Sequence, residues 1–455
     1  MKKKLFKLVM LALLPLAYCA CGSDDVLENI PEEPNKETPA EPNTEKPDDN
    51  GNTDENGNPD EEVIMMLPQT QAIELTAEQK GYVAKSNDFS FNLFRAISAD
   101  ADHRGKSLIT SPLSVSYVLG MLNDGAQGQT SDEITQMLGY GAGNKAAIDE
   151  FCHKMMVEAP QVDPSVVLEI ANIVIGNKQV EFEDSYEKNV KTNYFAEVTS
   201  QDFALPTALD YINGWCNERT HGMIPKILDE LSPEALVVLM NAIYFKATWS
   251  EKFDPEETKR EGFTGKQKLI LPMMHRKAEM LYAQNDTYAA INLPYGGGDK
   301  WSMMVLLPNE GKTVEDVIAS LSEETWKGFQ RSMTPCVVDV KLPRFSTESE
   351  ITLNEILPGM GVPTMFSPSD ADFSPMTKNF KKTDDFNLFV GLVKQKAAVE
   401  VAEEGTKLSA VTIAGMCSNY FPNNKADFHA NRPFVYVVQE ASSGAIFFVG
   451  TFHGE

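Results

Sequence analysis

The stretch Glu403-Glu404-Gly405-Thr406-Lys407, followed by an uncharged run that reaches Asn424, constrains this chain more than any other. It follows a β-capable segment, Ala398 to Ala402, and precedes a second apolar run, Phe434 to Val438. Ser409, Ala410, Val411, Thr412, Ala414 and Gly415 are the small and β-branched residues that normally fill a buried strand. Here they stand between a glycine hinge and turn formers, where loops are expected. Exposed strand-like segments invite mispairing and are usually suppressed. Two readings stay open on these residues alone: a loop able to become a strand, or an ordinary strand with a wide connection.

The N-terminus is built differently. Lys2, Lys3, Lys4 and Lys7 precede an apolar core from Leu8 to Ala17, the order of a secretory signal, and the core is short for a membrane span. Tyr18-Cys19-Ala20-Cys21-Gly22-Ser23-Asp24-Asp25 resembles a bacterial lipoprotein signal. Residues 1–20 are then the signal peptide and Cys21 the lipidated first residue, with Cys19 as the alternative because Tyr18 replaces the usual aliphatic residue. The acidic start after the cysteine resembles that of Bacteroidetes surface lipoproteins. It implies an outer-membrane lipoprotein at the cell surface, with the periplasmic face as the alternative. Residues 21–66 read as a disordered tether, since 22–62 hold fifteen acidic residues, two lysines and six prolines, too few apolar groups to offset the entropy of ordering.

The rest, 67–455, has no second low-complexity linker and no repeat. The whole chain carries −26, well beyond what the tether contributes, so the folded part is acidic too and nucleic acid is not a partner. Cys152, Cys216, Cys336 and Cys417 form no CxxC pair, and the first three read as free buried thiols. HExxH, G-x-S-x-G, P-loop and dinucleotide motifs are missing. The six histidines are isolated in sequence, so no metal set and no cofactor are assigned. Gly296-Gly297-Gly298 reads as a turn rather than a phosphate cradle.

Asn87 or Asp88 is expected to cap a first helix, Ser111-Pro112 to open a second, and Thr130 to Glu133 to form a capping box before Ile134. Strands are expected over 166–175, 236–245, 301–307 and 337–342, with a hairpin from 434 to 449. Helices and long strands without a regular alternation favour an α+β class.

The body also carries an ordered series of motifs. Phe89-Ser90-Phe91-Asn92-Leu93-Phe94 comes first, then Ser111-Pro112-Leu113-Ser114 and Gly125-Ala126-x-Gly128-x-Thr130. Asn213-Gly214-Trp215, Asn241-Ala242-Ile243-Tyr244-Phe245-Lys246-Ala247-x-Trp249 and Leu293-Pro294-Tyr295 follow. Leu342-Pro343-Arg344-Phe345, Glu403-x-Gly405-Thr406 and Phe428-x-Ala430-Asn431-Arg432-Pro433-Phe434 complete it. In this order they resemble the serpins from about Phe89 to Phe452. The resemblance implies three β-sheets among eight or nine helices, with a reactive loop held outside a five-stranded sheet. It implies a monomeric protease inhibitor, not an enzyme: a target cuts the loop, becomes acylated, and is trapped when the loop inserts as a new strand. The alternative is a non-inhibitory serpin that serves as a cell-surface binding module.

The same resemblance assigns Glu403, Glu404, Gly405, Thr406, Leu408, Ala410 and Thr412 to the hinge. Leu408 departs from the family's usual alanine. It also places Ser111, Ser114, Asn213 and Asn241 under the parting strands, Gln395 where many members have histidine, and Trp249 near the point of first insertion. About fourteen residues separate the hinge glycine from the residue before the cut, since the inserted strand spans the sheet at roughly 3.3 Å per residue. Counting from Gly405 gives Asn419-Tyr420 as the reactive bond. Counting back from Pro433 gives Pro422, so the window covers Met416, Cys417, Ser418, Asn419, Tyr420 and Phe421. These residues suit serine proteases of elastase or chymotrypsin type and papain-like cysteine proteases.

Overall fold

The structure, a computed structural model, describes residues 70–298, 300–383, 386–406 and 424–454. The signal, Cys21, the tether, and the loop residues Leu408, Ala410, Thr412 and 416–421 lie outside the described residues.

Helix α1 (Ala77–Ala99) begins well before the expected cap. Thr76 Oγ1 accepts from the Gln79 amide at 3.2 Å and the Gln79 carboxamide accepts from the Thr76 amide at 3.1 Å, a reciprocal cap. Asn87 is instead buried mid-helix, donating to Glu323 and to the Gly444 carbonyl, both at 2.9 Å. After β1 (Leu108–Thr110), α2 (Pro112–Asp124) opens as expected, with the Ser111 hydroxyl accepting from the Ser114 amide. The next helix, α3 (Gly128–Met137), also starts early and takes Thr130 and Glu133 into its body. They cap nothing there: Thr130 Oγ1 accepts from the Asp372 amide and Glu133 accepts from the Thr364 hydroxyl at 2.6 Å. Long-range partners have displaced the local capping pattern in both helices.

The chain continues through α4 (Lys145–Glu158), β2 (Val167–Asn177), α5 (Asp184–Tyr194), β3 (Glu197–Gln201), α6 (Pro206–Arg219) and β4 (Val237–Thr248). Four strands follow: β5 (Lys259–Thr264), β6 (Lys268–Gln284), β7 (Tyr288–Tyr295) and β8 (Trp301–Pro308). Then come α7 (Val314–Ser320), α8 (Glu323–Ser332), β9 (Thr334–Pro343), β10 (Phe345–Thr352), α9 (Ile356–Gly359) and β11 (Lys394–Ala402). Four short or closing strands end it: β12 (Gly405–Thr406), β13 (Lys425–His429), β14 (Phe434–Glu440) and β15 (Ala445–Phe452). The expected strands are all present, and β14 and β15 form the expected hairpin.

Nine α-helices among the described residues surround two hydrogen-bonded sheets. The larger runs β1-β15-β14-β8-β7-β6-β9-β13, with β5 on β6. Because the 17-residue β6 pairs with β5, β7 and β9, two of the three expected sheets are continuous through it. The second sheet runs β10-β11-β12-β4-β2-β3. Its outer face is covered by α6, whose Ile212, Trp215 and Cys216 pack on Ile173, Ile175 and Met240. Cys152, Cys216 and Cys336 are free and buried, as expected.

Candidate functional site

The six-stranded sheet is divided along its middle. Among the described residues β4 and β11 pair with each other nowhere; only β12 joins them, at one end. Gly405 and Thr406 pair antiparallel to Ala402 and Val401 on one side and to Thr248 and Ala247 on the other. The resemblance implied five strands with the whole loop outside, whereas here the first two loop residues add a sixth. Toward the opposite end the strands part around a cavity of about 720 Å³. Val237 to Asn241 line one wall, Leu388 to Lys396 the other, and Ser114 and Val118 of α2 its floor.

What seats Gly405 and Thr406 is legible atom by atom. Gly405 has φ +134°, and a Cβ there would lie 2.4 Å from the Ala247 carbonyl oxygen, so only glycine fits. Thr406 is buried, and its hydroxyl shares a 2.8 Å hydrogen bond with the hydroxyl of Tyr295. Tyr295 stacks on Trp249 with centroids 4.4 Å apart. Trp249 in turn donates from its indole to the Ala402 carbonyl and from its amide to the Glu404 carbonyl, both at 2.9 Å. Trp249 thus ties β4 to the turn between β11 and β12. Burial pushes the Tyr295 hydroxyl well above its usual range, so it stays protonated as a hydrogen-bond partner for Thr406.

Glu403 is buried and forked by Arg344, at 3.0 Å from Nε and 2.5 Å from Nη2, and it accepts from the Thr258 hydroxyl at 2.6 Å. Burial alone would raise its carboxyl, but these hydrogen bonds outweigh it and hold the group below the usual carboxylate range. Glu404 faces outward and pairs with Lys252 at 2.5 Å.

A second polar cluster lies under the cavity, where the N-terminus of α2 meets both flanking strands. From β11, Gln395 accepts from Thr110 Oγ1 at 2.5 Å and from the Ser111 amide at 3.2 Å, and donates to the Ser111 carbonyl at 2.7 Å. From β4, Asn241 accepts from the Ser114 hydroxyl and donates to Asn172 at 2.8 Å. Each strand is therefore anchored separately to the same helix start. Hydroxyls and carboxamides can donate or accept, so such groups can re-pair when strands move. Asn213, grouped with them from the sequence, lies elsewhere. It sits on α6 and holds the segment after that helix, accepting from the Ile227 and Leu228 amides and donating to the Leu228 carbonyl at 2.9 Å.

The structure thus gathers Glu403, Glu404, Gly405, Thr406 and Trp249 at one end of the gap and Ser111, Ser114, Asn241 and Gln395 beneath its middle. Tyr295, Arg344 and Thr258 complete the first group, and Thr110 and Asn172 the second. Nothing local in the sequence marks these five, although Tyr295 and Arg344 stand inside the motifs Leu293-Pro294-Tyr295 and Leu342-Pro343-Arg344-Phe345. Arg344 and Glu403 are 59 residues apart, beyond any local charge pattern.

The six-stranded sheet is thus parted at its centre, with Gly405 and Thr406 seated in it as a short strand between β11 and β4. Residues 84–454 match the family described as Serpin (serine protease inhibitor), and the chain belongs to that family. It is 30% identical over 379 residues to an uncharacterized serpin-like protein of Thermococcus kodakarensis, covering 82% of this chain and 85% of that one. The fold is similar to tengpin, a thermophilic serpin in its native state. The TM-score is 0.74 at 25% identity, covering 86% of this chain and 98% of that chain. It is also similar to human thyroxine-binding globulin complexed with thyroxine, at TM-score 0.73 and 26% identity, covering 82% of this chain and 98% of that chain.

Proposed function

We propose that this serpin inhibits serine proteases, and papain-like cysteine proteases, by letting them cut its loop and then drawing the loop into the six-stranded sheet. The observation that carries this reading is the seat of Gly405 and Thr406 between β11 and β4, in line with the cavity farther along the same gap. The protease nucleophile attacks the carbonyl carbon at Asn419 or a neighbour within 416–421. The peptide C–N bond breaks, the leaving amine takes a proton, and an ester or thioester joins the two proteins. Insertion of the strand behind Thr406 would carry the protease along the sheet. Pulling on the acyl group would misplace the water and base that must hydrolyse it, and alignment supplies much of that rate.

The test is incubation of the chain with chymotrypsin, elastase and papain, followed by SDS electrophoresis and sequencing of the released C-terminal fragment. A covalent band and a new N-terminus between 417 and 422 are expected. Cleavage with no covalent band favours the second reading, a binding module. That reading rests on Leu408 at an insertion position and on the likeness to a thyroxine-binding relative. A fragment starting outside that window shows the assigned register to be wrong. On the same footing we place the protein at the outer-membrane surface through Cys21, with 21–66 as its acidic tether.

A further inference from the structure

Strands β6, β9 and β13 lie side by side at one end of the nine-stranded sheet. Their register sets His275, Lys341 and His429 in one row and Lys277, Asp339 and Asp427 in the next. Alternation puts all six on the face opposite the buried Val338, Val340 and Leu342. Two imidazoles converge there on one carboxylate oxygen: Nε2 of His275 is 3.0 Å and Nε2 of His429 is 3.3 Å from Asp339 Oδ1. Ligand atoms of Asp339, Asp427 and His429 all lie within 4.8 Å of one another.

We propose that Asp339, Asp427 and His429 form the core of a binding site for a divalent transition ion, Zn²⁺ by its donor set, which ties edge strand β13 to β9; His275, bonded to Asp339 but outside that 4.8 Å set, joins from β6 as a further donor once its ring turns toward the ion. Zinc takes histidine nitrogen at about 2.0–2.1 Å and carboxylate oxygen at about 2.0–2.2 Å, so tetrahedral donors stand roughly 3.3–3.5 Å apart. The two observed imidazole-to-carboxylate distances are within a few tenths of that. The Asp427 side chain is exposed and can swing to close the fourth position. Two imidazoles and two carboxylates suit zinc better than magnesium or calcium, which prefer oxygen throughout.

The surrounding charges agree with a cation. Lys341 is held by both oxygens of Glu261, at 2.8 and 2.7 Å. The Glu257 carboxylate lies 3.9 Å from Nδ1 of His275, on the far side of that ring from Asp339, where it can orient the imidazole. Lys277, across from Asp339, is the remaining positive neighbour in the register. Strand β13 has five residues, and among the described residues it pairs with β9 alone. It begins one residue after the segment 407–423, so the ion would fix the C-terminal anchor of that segment.

The test is calorimetric titration of the full chain with ZnCl₂, with hydrogen exchange of 425–429 followed in parallel. One zinc-binding event per chain that depends on these residues is expected. His275→Ala and His429→Ala should each weaken it by more than the roughly 10–100-fold cost of an outer-shell change. Asp427→Asn, isosteric and exposed, should weaken it at least about tenfold with the metal-free fold intact. Zinc should slow exchange in β13. No saturable binding, or binding indifferent to all three substitutions, overturns the site and leaves only a His–Asp–His hydrogen-bonded triad. Unchanged β13 exchange at saturation overturns the tie.

Discussion

Replacing Thr406 by arginine isolates the hinge seat. Thr406 is 3% exposed and its hydroxyl is bound to Tyr295, itself fully buried. The two carboxylates next in sequence are already taken, Glu403 by Arg344 and Glu404 by Lys252. A guanidinium at this position would be buried without a counter-charge, which costs several kcal/mol. The Tyr295 hydroxyl would lose its partner, a further cost of about 1–3 kcal/mol. Together these are on the order of 5 kcal/mol, a shift of more than a thousandfold against the seated hinge. The loop would stay outside while remaining cuttable. With chymotrypsin, Thr406→Arg should be cleaved at an undiminished rate yet trap almost no enzyme, while Thr406→Ser, which keeps the hydroxyl, should trap as the parent does. A covalent band of parental intensity from the arginine variant would refute the reasoning.

Glu403→Gln removes the ion pair with Arg344; since Arg344 is 49% exposed and regains water, the loss should be modest, about 1–2 kcal/mol by denaturant midpoint. The depressed Glu403 carboxyl binds fewer protons folded than unfolded, so its contribution should be present at neutral pH and fade as pH falls below about 4, a fade that Glu403→Gln should abolish. Asp124 has the opposite sign: burial, with Asp149 beside it, pushes its carboxyl up to about 8, so the folded chain holds the extra proton and stability should fall as pH rises from about 4 to 8. Asp124→Asn should flatten that slope and stabilise the protein at pH 8 in urea titrations. Cys21→Ala should move the protein from the membrane to the soluble fraction; continued acylation would point to Cys19.

Much of the fold was legible because it rests on local patterns. The continuous apolar runs of β14 and β15 around Ser442-Ser443-Gly444, and the Ser111-Pro112 start of α2, are local facts that the packing leaves untouched. Where tertiary contacts compete, local signals mislead. Asn87 can cap a helix, but here it bonds to Glu323, Gly444 and Ile446 across the core. Thr130 and Glu133 spell a capping box, yet they serve Asp372 and Thr364. Glycine at 405 was readable from its neighbours, while its need to clear the Ala247 carbonyl was not. Tyr295, Thr258 and Arg344 reach the hinge only through folding. His275 and His429 stand 154 positions apart in sequence and meet only through the register of β6 and β13 on β9.

The claim on which the rest depends is that the gap between β4 and β11 takes up the cut loop as a strand. A nick in an exposed loop ordinarily leaves stability unchanged or lowers it. Here residues behind Thr406 would gain two ladders of backbone hydrogen bonds and fill a cavity of about 720 Å³ lined by Val237, Leu239, Leu388 and Val390. The direct measurement is thermal unfolding of the chain before and after a single cut within 416–421, with both fragments still associated. A clear rise in unfolding temperature is expected for the cut protein, and Thr406→Arg should abolish it. An unfolding temperature equal to or below that of the intact chain would contradict the claim.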